Sequence, residues 1–209
     1  MTAQPPGRRE RKKLATHNAL RAAALELSLS HGVDNVTVEQ IADAADVSVR
    51  TFFNYFSSKE QAVVAGESVS SEAMIENLRN RPPDEPILTS LRHVILGLGA
   101  VIPNRERVAQ LRLVRRTPSL LPHQLAAYEA TENALAQVIA ARTGTDVEAD
   151  LYPTLVAATV VASLRVVVTH WMKAETTGTD DLGRLIEAAL DQLINGLASM
   201  PDGGAQRAM

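Results

Sequence analysis

The 209 residues include no cysteine. That excludes a disulfide framework, a zinc finger, an iron–sulfur centre and thiol catalysis. Aromatic side chains are scarce at 3%: three Phe, three Tyr and one Trp. The N-terminus MTAQPPGRRERKK has charge but no apolar stretch behind it, so no signal peptide is expected. The longest apolar run, Leu155 to Val168, is interrupted by Thr159, Ser163 and Arg165. It is shorter than the ~20 residues a membrane span needs, and an arginine at mid-membrane depth costs about 2.5–3.5 kcal/mol. The run therefore reads as a buried helix of a non-membrane protein, and a cytoplasmic location is expected. Catalytic signatures are missing too: there is no G-x-S-x-G, no H-E-x-x-H and no glycine-rich phosphate loop. Gly97-Leu98-Gly99 lacks a third glycine and falls within an apparent helix. No two histidines stand three or four apart, and His93, His123 and His170 are widely separated, so no metal site is expected. The chain is not expected to be an enzyme or to carry a cofactor.

What is present is ordinary globular material, 45% hydrophobic and 22% charged, in a chain long enough for a sizeable core. The net charge of −3 hides an asymmetry. Residues 1–21 hold Arg8, Arg9, Arg11, Lys12, Lys13 and Arg21 against Glu10 alone, a balance of +5, and the remainder carries −8. A basic head on an acidic body fits an anionic partner met at one end, and equally a solvated basic tail. The aromatics are uneven as well: Phe52, Phe53, Tyr55 and Phe56 fall within five residues. So tight a cluster marks the hub of a small core, a contact surface, or both.

Nearly every segment has the period of a helix and none alternates like a strand, so the fold class is all-α with about nine helices. From about Arg9 a helix with the stripe Leu20, Ala23, Ala24 and Leu27 runs to Gly32, a left-handed stop. Thr37 with Gln40 makes a capping box for the next helix. Ala45-Asp46-Val47 turns, and Ser48 caps the short helix SVRTFFNYF. Ser58 with Gln61 makes a second capping box, for a helix reaching about Asn80. Pro82, Pro83 and Pro86 break the chain. Helices are then expected over 87–102, 104–116, 122–142, 146–173 and 182–199, followed by a frayed tail.

Two short capped helices joined by a three- or four-residue turn make a helix-turn-helix. Ile41, Ala42 and Ala45 face inward, Val47 plugs the turn, and Phe52 and Phe56 anchor the second helix at i and i+4. Val49, Arg50, Phe53 and Asn54 then project outward at the end such motifs push into the major groove. Arg50 can fork onto a guanine or hold a phosphate, and Tyr55 and Lys59 are placed for backbone phosphates. A helical hairpin inside an ordinary bundle has the same pattern. The basic head immediately upstream, which can lie along a DNA backbone or minor groove, tips the balance towards nucleic-acid binding.

The segment VTVEQIADAADVSVRTFFNYFSSKEQAV, within residues 9–66, resembles the DNA-binding domain of the TetR (tetracycline repressor) family. Thr37, Ile41, Ala42, Ala45, Val47, Ser48, Thr51, Tyr55, Phe56, Ser58, Lys59 and Glu60 stand at that family's motif positions. Three positions depart from it. Asp46 replaces the usual turn glycine, yet Asp tolerates a left-handed backbone; Phe53 stands where Tyr is common; and Ser28 stands where Phe is. The resemblance implies DNA contacts from Thr37, Val49, Arg50, Thr51, Phe53, Tyr55 and Lys59, to which the capped helix start adds Ser48 and Asn54. It further implies a DNA-binding domain over residues 9–70, with its motif at about 37–56, and a C-terminal ligand-binding and dimerisation domain over 71–209. Repression of a palindromic operator by a homodimer, relieved by a small effector, is the implied function.

The C-terminal residues are compatible with that. Residues 155–168 are rich in small side chains, and Leu182, Leu185, Ile186, Ala189, Leu193 and Leu197 make one apolar face. Leu96, Leu113, Val114, Tyr128, Tyr152, Val167, Trp171 and Met172 are candidates to line a cavity for an apolar or amphipathic effector, or are plain core. Arg112, Arg115 and Arg116 form a basic run that suits an anionic ligand head-group but reads more simply as a solvated helix face. An all-helical enzyme, or a ligand-binding scaffold that keeps the helix-turn-helix only as structure, remains the alternative at this point.

Overall fold

A computed structural model describes residues 7–101, 105–173 and 179–194. Among these are ten α-helices and no strand: α1 (Arg8–His31), α2 (Val38–Ala44), α3 (Val49–Phe53), α4 (Lys59–Val64), α5 (Gly66–Arg79), α6 (Ile87–Val101), α7 (Arg105–Arg116), α8 (Leu121–Thr143), α9 (Leu151–Trp171) and α10 (Thr179–Ile194). Short 3-10 turns occupy Val33–Asn35 and Pro118–Leu120. The helix expected from Ser58 to about Asn80 is divided in two, which accounts for the additional helix. Glycine at position 66 lowers helix propensity by about 1 kcal/mol relative to alanine. The Val63 carbonyl in the last turn of α4, a group that helix ends leave without an internal partner, accepts the Gln110 side-chain amide of α7 at 2.7 Å.

The chain divides into two compact units, one of Met1–Ala73 with Asn104–Thr131 and one of Met74–Pro103 with Glu132–Met209. The family resemblance implies one boundary at residue 70, with everything beyond it in the C-terminal region. In the structure α7 and the first half of α8 belong with the N-terminal helices. The reason is packing: Val114 and Leu120 join Leu20, Ile41, Phe52, Ala62 and Val63 in one core, with Leu113 and Ala127 against it. Gln110 is buried beside them, and Arg21 of α1 pairs with Glu106 of α7 at 3.4 Å.

In the second unit α10 packs on α6 and α9. Leu182, Ile186 and Leu190 of α10 are buried, with Ile95 of α6 and Trp171 of α9. The α10 stripe is thus largely used inside its own unit; Leu185, Ala189 and Leu193 are half-buried, and Leu197 lies outside the described residues. Arg92 of α6 reaches Asp191 at 2.8 Å and Glu187 at 3.1 Å on α10. The proline turn is tied down by Arg142 of α8, whose guanidinium donates to the carbonyls of Leu78 (2.8 Å), Pro82 (2.8 Å) and Glu85 (3.1 Å) and to the Ser90 hydroxyl (3.0 Å). The Glu85 carboxylate accepts from Arg81 and Ser90. Those bonds, Arg81 first, hold it at about 2, below the ordinary carboxylate range.

Helix α9 begins at Leu151, later than the expected 146: the Asp150 carboxylate closes a turn by accepting from the Asp146 N–H at 2.9 Å and does not cap α9, and Pro153 falls in the first turn, where proline is tolerated. It is long and apolar enough to cross a membrane, with a mean hydropathy of 1.8, yet only 28% of its most apolar window is buried within the chain. The apolar run from Leu155 to Val168 predicts a buried helix. In the structure Leu155 and Val166 are 54% and 62% exposed, and with the half-buried Thr159 and Ala162 they form one row at helical spacing.

Candidate nucleic-acid interface

The first unit presents a helix-turn-helix whose ends are fixed by side-chain caps. The Gln40 amide N–H donates to the Thr37 hydroxyl at 3.3 Å, and the Thr37 N–H donates to the Gln40 side chain at 2.9 Å. That closes the expected capping box at the start of α2. The turn that follows has Asp46 at φ +53°, the one non-glycine positive φ among the described residues. This is the left-handed conformation expected of the residue in the glycine position. The Val47 N–H then donates to the Ala42 carbonyl at 2.9 Å, closing the turn. Gly32, at the end of α1, has φ +81° but an extended ψ of 145°, so it stops the helix with a positive φ outside the left-handed helical basin.

Ser48 caps α3: the Thr51 N–H donates to its hydroxyl at 3.1 Å, and the two hydroxyls lie 2.9 Å apart. Phe52 and Phe56 are buried, with ring centroids 5.8 Å apart. Anchoring from below turns the opposite face of α3 to solvent. Thr37, Ser48, Arg50 and Asn54 are exposed, and Phe53 is 55% exposed while its ring meets the edge of Phe52. Val49, Thr51 and Tyr55 are half-buried. Arg50 makes no hydrogen bond or ion pair among the described residues. A caged phenylalanine pair with a free guanidinium above it is a surface that offers charge and hydrogen-bond donors outward. Tyr55 is flanked by the α1 side chain His17, whose ring lies 6.2 Å from Tyr55 and 4.8 Å from Phe56.

Lys59 takes a different part from the one expected of it. Its ammonium is turned into the protein and donates to the carbonyls of Val36 (2.7 Å), Val33 (2.8 Å) and Asp34 (3.5 Å). All three donors are directed at the loop between α1 and α2. The second cap also differs by one residue: Ser58 accepts the Gln61 N–H at 3.1 Å, but the Gln61 side chain accepts from the Ser57 N–H and hydroxyl, so the box with Ser58 is not closed.

The eight candidate cavity residues are not gathered in one place. Leu113 and Val114 pack in the core of the first unit, and Tyr128 is half-buried in that same unit. In the second unit Leu96 and Met172 are half-buried, Tyr152 is 41% exposed and Trp171 is fully buried. Val167 lines a cavity of about 20 Å³ between α6, α9 and α10, with Ile95, Val160, Leu164, Ile186 and Leu190 among its walls. That is room for about one water molecule. Among the described residues no three His, Asp or Glu side chains gather as a metal site.

Residues 20–65 match the family model of bacterial regulatory proteins of the tetR family, and residues 85–198 match the MftR C-terminal domain of TetR proteins. The transcriptional regulator TcmR of Streptomyces glaucescens is 38% identical over 200 residues, covering 92% of this chain and 88% of that protein. A protein designated the mycofactocin biosynthesis transcriptional regulator MftR, of Mycobacterium tuberculosis, is 28% identical, covering 88% and 95%. Among solved structures, Thermus thermophilus FadR, a transcriptional repressor in complex with lauroyl-CoA, aligns with a TM-score of 0.57 at 23% identity, covering 90% of this chain and 97% of that one.

Proposed function

Since the chain belongs to the TetR family of bacterial regulatory proteins, and so is a DNA-binding transcriptional regulator, we propose that it is a repressor. In this reading it binds a palindromic operator as a homodimer, in the bacterial cytoplasm, and is released by a small apolar or amphipathic effector. No catalytic step is proposed. The observation that carries the reading is the capped, outward-facing α3, with Arg50 exposed beside Ser48, Val49, Thr51, Phe53 and Asn54. Thr37 and Tyr55 flank it at the two ends. Lys59 supports the interface from beneath, by holding the α1–α2 loop, rather than by touching phosphate.

One such short helix reads too few base pairs to bind well alone, and a two-fold pair places two of them about 34–36 Å apart in successive major grooves. The open row Leu155, Thr159, Ala162 and Val166 on α9 supplies the dimer face, because exposed apolar surface of this extent on a helix calls for a partner. The effector belongs in the second unit, in the apolar space between α6, α9 and α10. The cavity there must widen to take any organic ligand, and a molecule that binds only the widened form shifts the population towards it. A coupling of about 1–3 kcal/mol to the DNA-binding state suffices for release. The lauroyl-CoA bound by the Thermus thermophilus protein is one example of the amphipathic class.

Selection of duplexes from a random library tests the reading. The protein is expected to enrich a sequence with two-fold symmetry and half-sites about one helical turn apart; enrichment of no sequence overturns it.

A further inference from the structure

Helix α1 begins at Arg8 and runs unbroken for 24 residues to His31, so most of the basic head is not a loose tail but two turns of helix. These turns are poorly suited to be helix on their own. Their N-cap is Gly7, which offers no side-chain cap, and Glu10 is the sole acidic residue of the first turn. Arg8, Arg9 and Arg11 sit at the positive end of the helix dipole, where cations are disfavoured. Arg8 faces Arg11 and Lys12, and Arg9 faces Lys12 and Lys13, at the three- and four-residue spacings where like charges repel. Against these, Glu10 and Lys13 make one favourable spacing. Arg8, Arg9, Arg11, Lys12 and Lys13 are exposed, and none of their side chains has an ion pair or hydrogen bond among the described residues. Nothing in the described chain neutralises this surface.

Its direction is fixed by His17. Lys13 and Arg9 precede His17 at four-residue steps, about 40° and 80° around α1 from it, with Glu10 about 20° away on the same side, and His17 is the residue that meets Tyr55 and Phe56 just beyond α3. The row that leaves Tyr55 therefore continues outward as Lys13 and then Arg9. Arg11 lies about 200° around the helix from Arg9, on the other side. From His17 to Arg8 is about 13 Å of helix, an axial length that covers about four phosphates of one DNA strand.

We propose that the first two turns of α1 form a helical clamp on the phosphate backbone flanking each half-site, with Lys13 and Arg9 as its contacts. The clamp rests on the DNA-binding reading above and extends its footprint beyond the bases under α3. It is a helix lying on phosphates rather than an extended arm in the minor groove, so it adds affinity without sequence preference. Bound phosphates also relieve the repulsion among its cations, so DNA should stabilise these turns as helix.

The test uses the full chain and a duplex enriched by the wild-type protein, with a random duplex beside it. Removing both contacts in R9Q/K13Q should lower the slope of log K against log salt by about 1.8 per protomer. Affinity should fall by the same factor on both duplexes, leaving their ratio unchanged, while R11Q keeps nearly the wild-type slope. Amide exchange at residues 9–14 should slow when DNA is added. An unchanged slope in R9Q/K13Q, with specific binding intact, overturns the clamp alone. An equal loss in R11Q overturns the orientation in favour of a diffuse field. A loss confined to duplexes with A·T-rich flanks overturns the phosphate contact in favour of the minor groove. Wild-type protein that binds no duplex overturns the DNA reading and the clamp together.

Discussion

The two units leave opposite things unsatisfied. The second unit uses most of its arginines internally: Arg142 is surrounded by carbonyls, Arg92 spans two carboxylates on α10, and Arg81 is held by Glu85, while Arg165 on α9 is exposed. Beside Arg165 it leaves an apolar row open on α9, ending in Val166 at 62% exposure. The first unit buries its apolar residues around Phe52 and Phe56 and leaves cations open, Arg50 on α3 and five more at the start of α1. The same side chain, arginine, is structural at Arg142, Arg92 and Arg81, as it is at Arg21 beside Glu106, and open to solvent at Arg50. The difference lies in what surrounds it. A guanidinium beside a helix end or a proline turn finds carbonyls that need donors, whereas one on a capped helix whose backbone is already satisfied finds none.

The contrast can be broken most severely at the open row. Val166→Asp places a charge on the most exposed member of the α9 row without touching the core of its own unit. The expected result is a monomer by light scattering at micromolar concentration and a loss of operator affinity of more than about 100-fold, since one half-site then has to suffice. A dimer that persists moves the interface elsewhere.

Next comes the internal arginine. Arg142→Met keeps the aliphatic stem but strands the carbonyls of Leu78, Pro82 and Glu85. It should destabilise the protein by about 2–3 kcal/mol in denaturant unfolding, in line with the loss of charged hydrogen bonds. Operator binding by the folded fraction should be intact.

A smaller effect separates the two uses of a cation within the first unit. Lys59→Met should lower stability by about 1–2 kcal/mol through the freed loop carbonyls, and leave the salt slope of DNA binding as it was. A phosphate contact at Lys59 would instead lower that slope by about 0.9 per protomer with little change in stability.

Much of the interface was legible because its determinants are local. Thr37 and Gln40 are three residues apart, Ser48 caps the helix that starts one residue later, and Phe52 and Phe56 share a face by spacing alone. Asp46 was readable as a left-handed turn because few residues tolerate that backbone. What escaped was non-local. Lys59 finds its acceptors in main-chain carbonyls 23 to 26 residues earlier, and carbonyls leave no mark in a sequence. Helix α7 gave an amphipathic pattern but no sign that Val114 and Gln110 would pack on α4. The cavity walls come from three helices, and no stripe states which other stripe it will meet, so of the eight candidate residues Val167 alone lines that cavity. The break at Ala65 has a local signal in Gly66, but the long helical pattern on either side masks it.

The central claim is that α3 reads bases through Arg50. Arg50→Ala, compared with wild type on an enriched duplex and on its single-base-pair variants, tests it directly. A loss of about 1–3 kcal/mol is expected, together with relaxed preference at one base pair in each half-site. Unchanged affinity with unchanged preference at every position would contradict it.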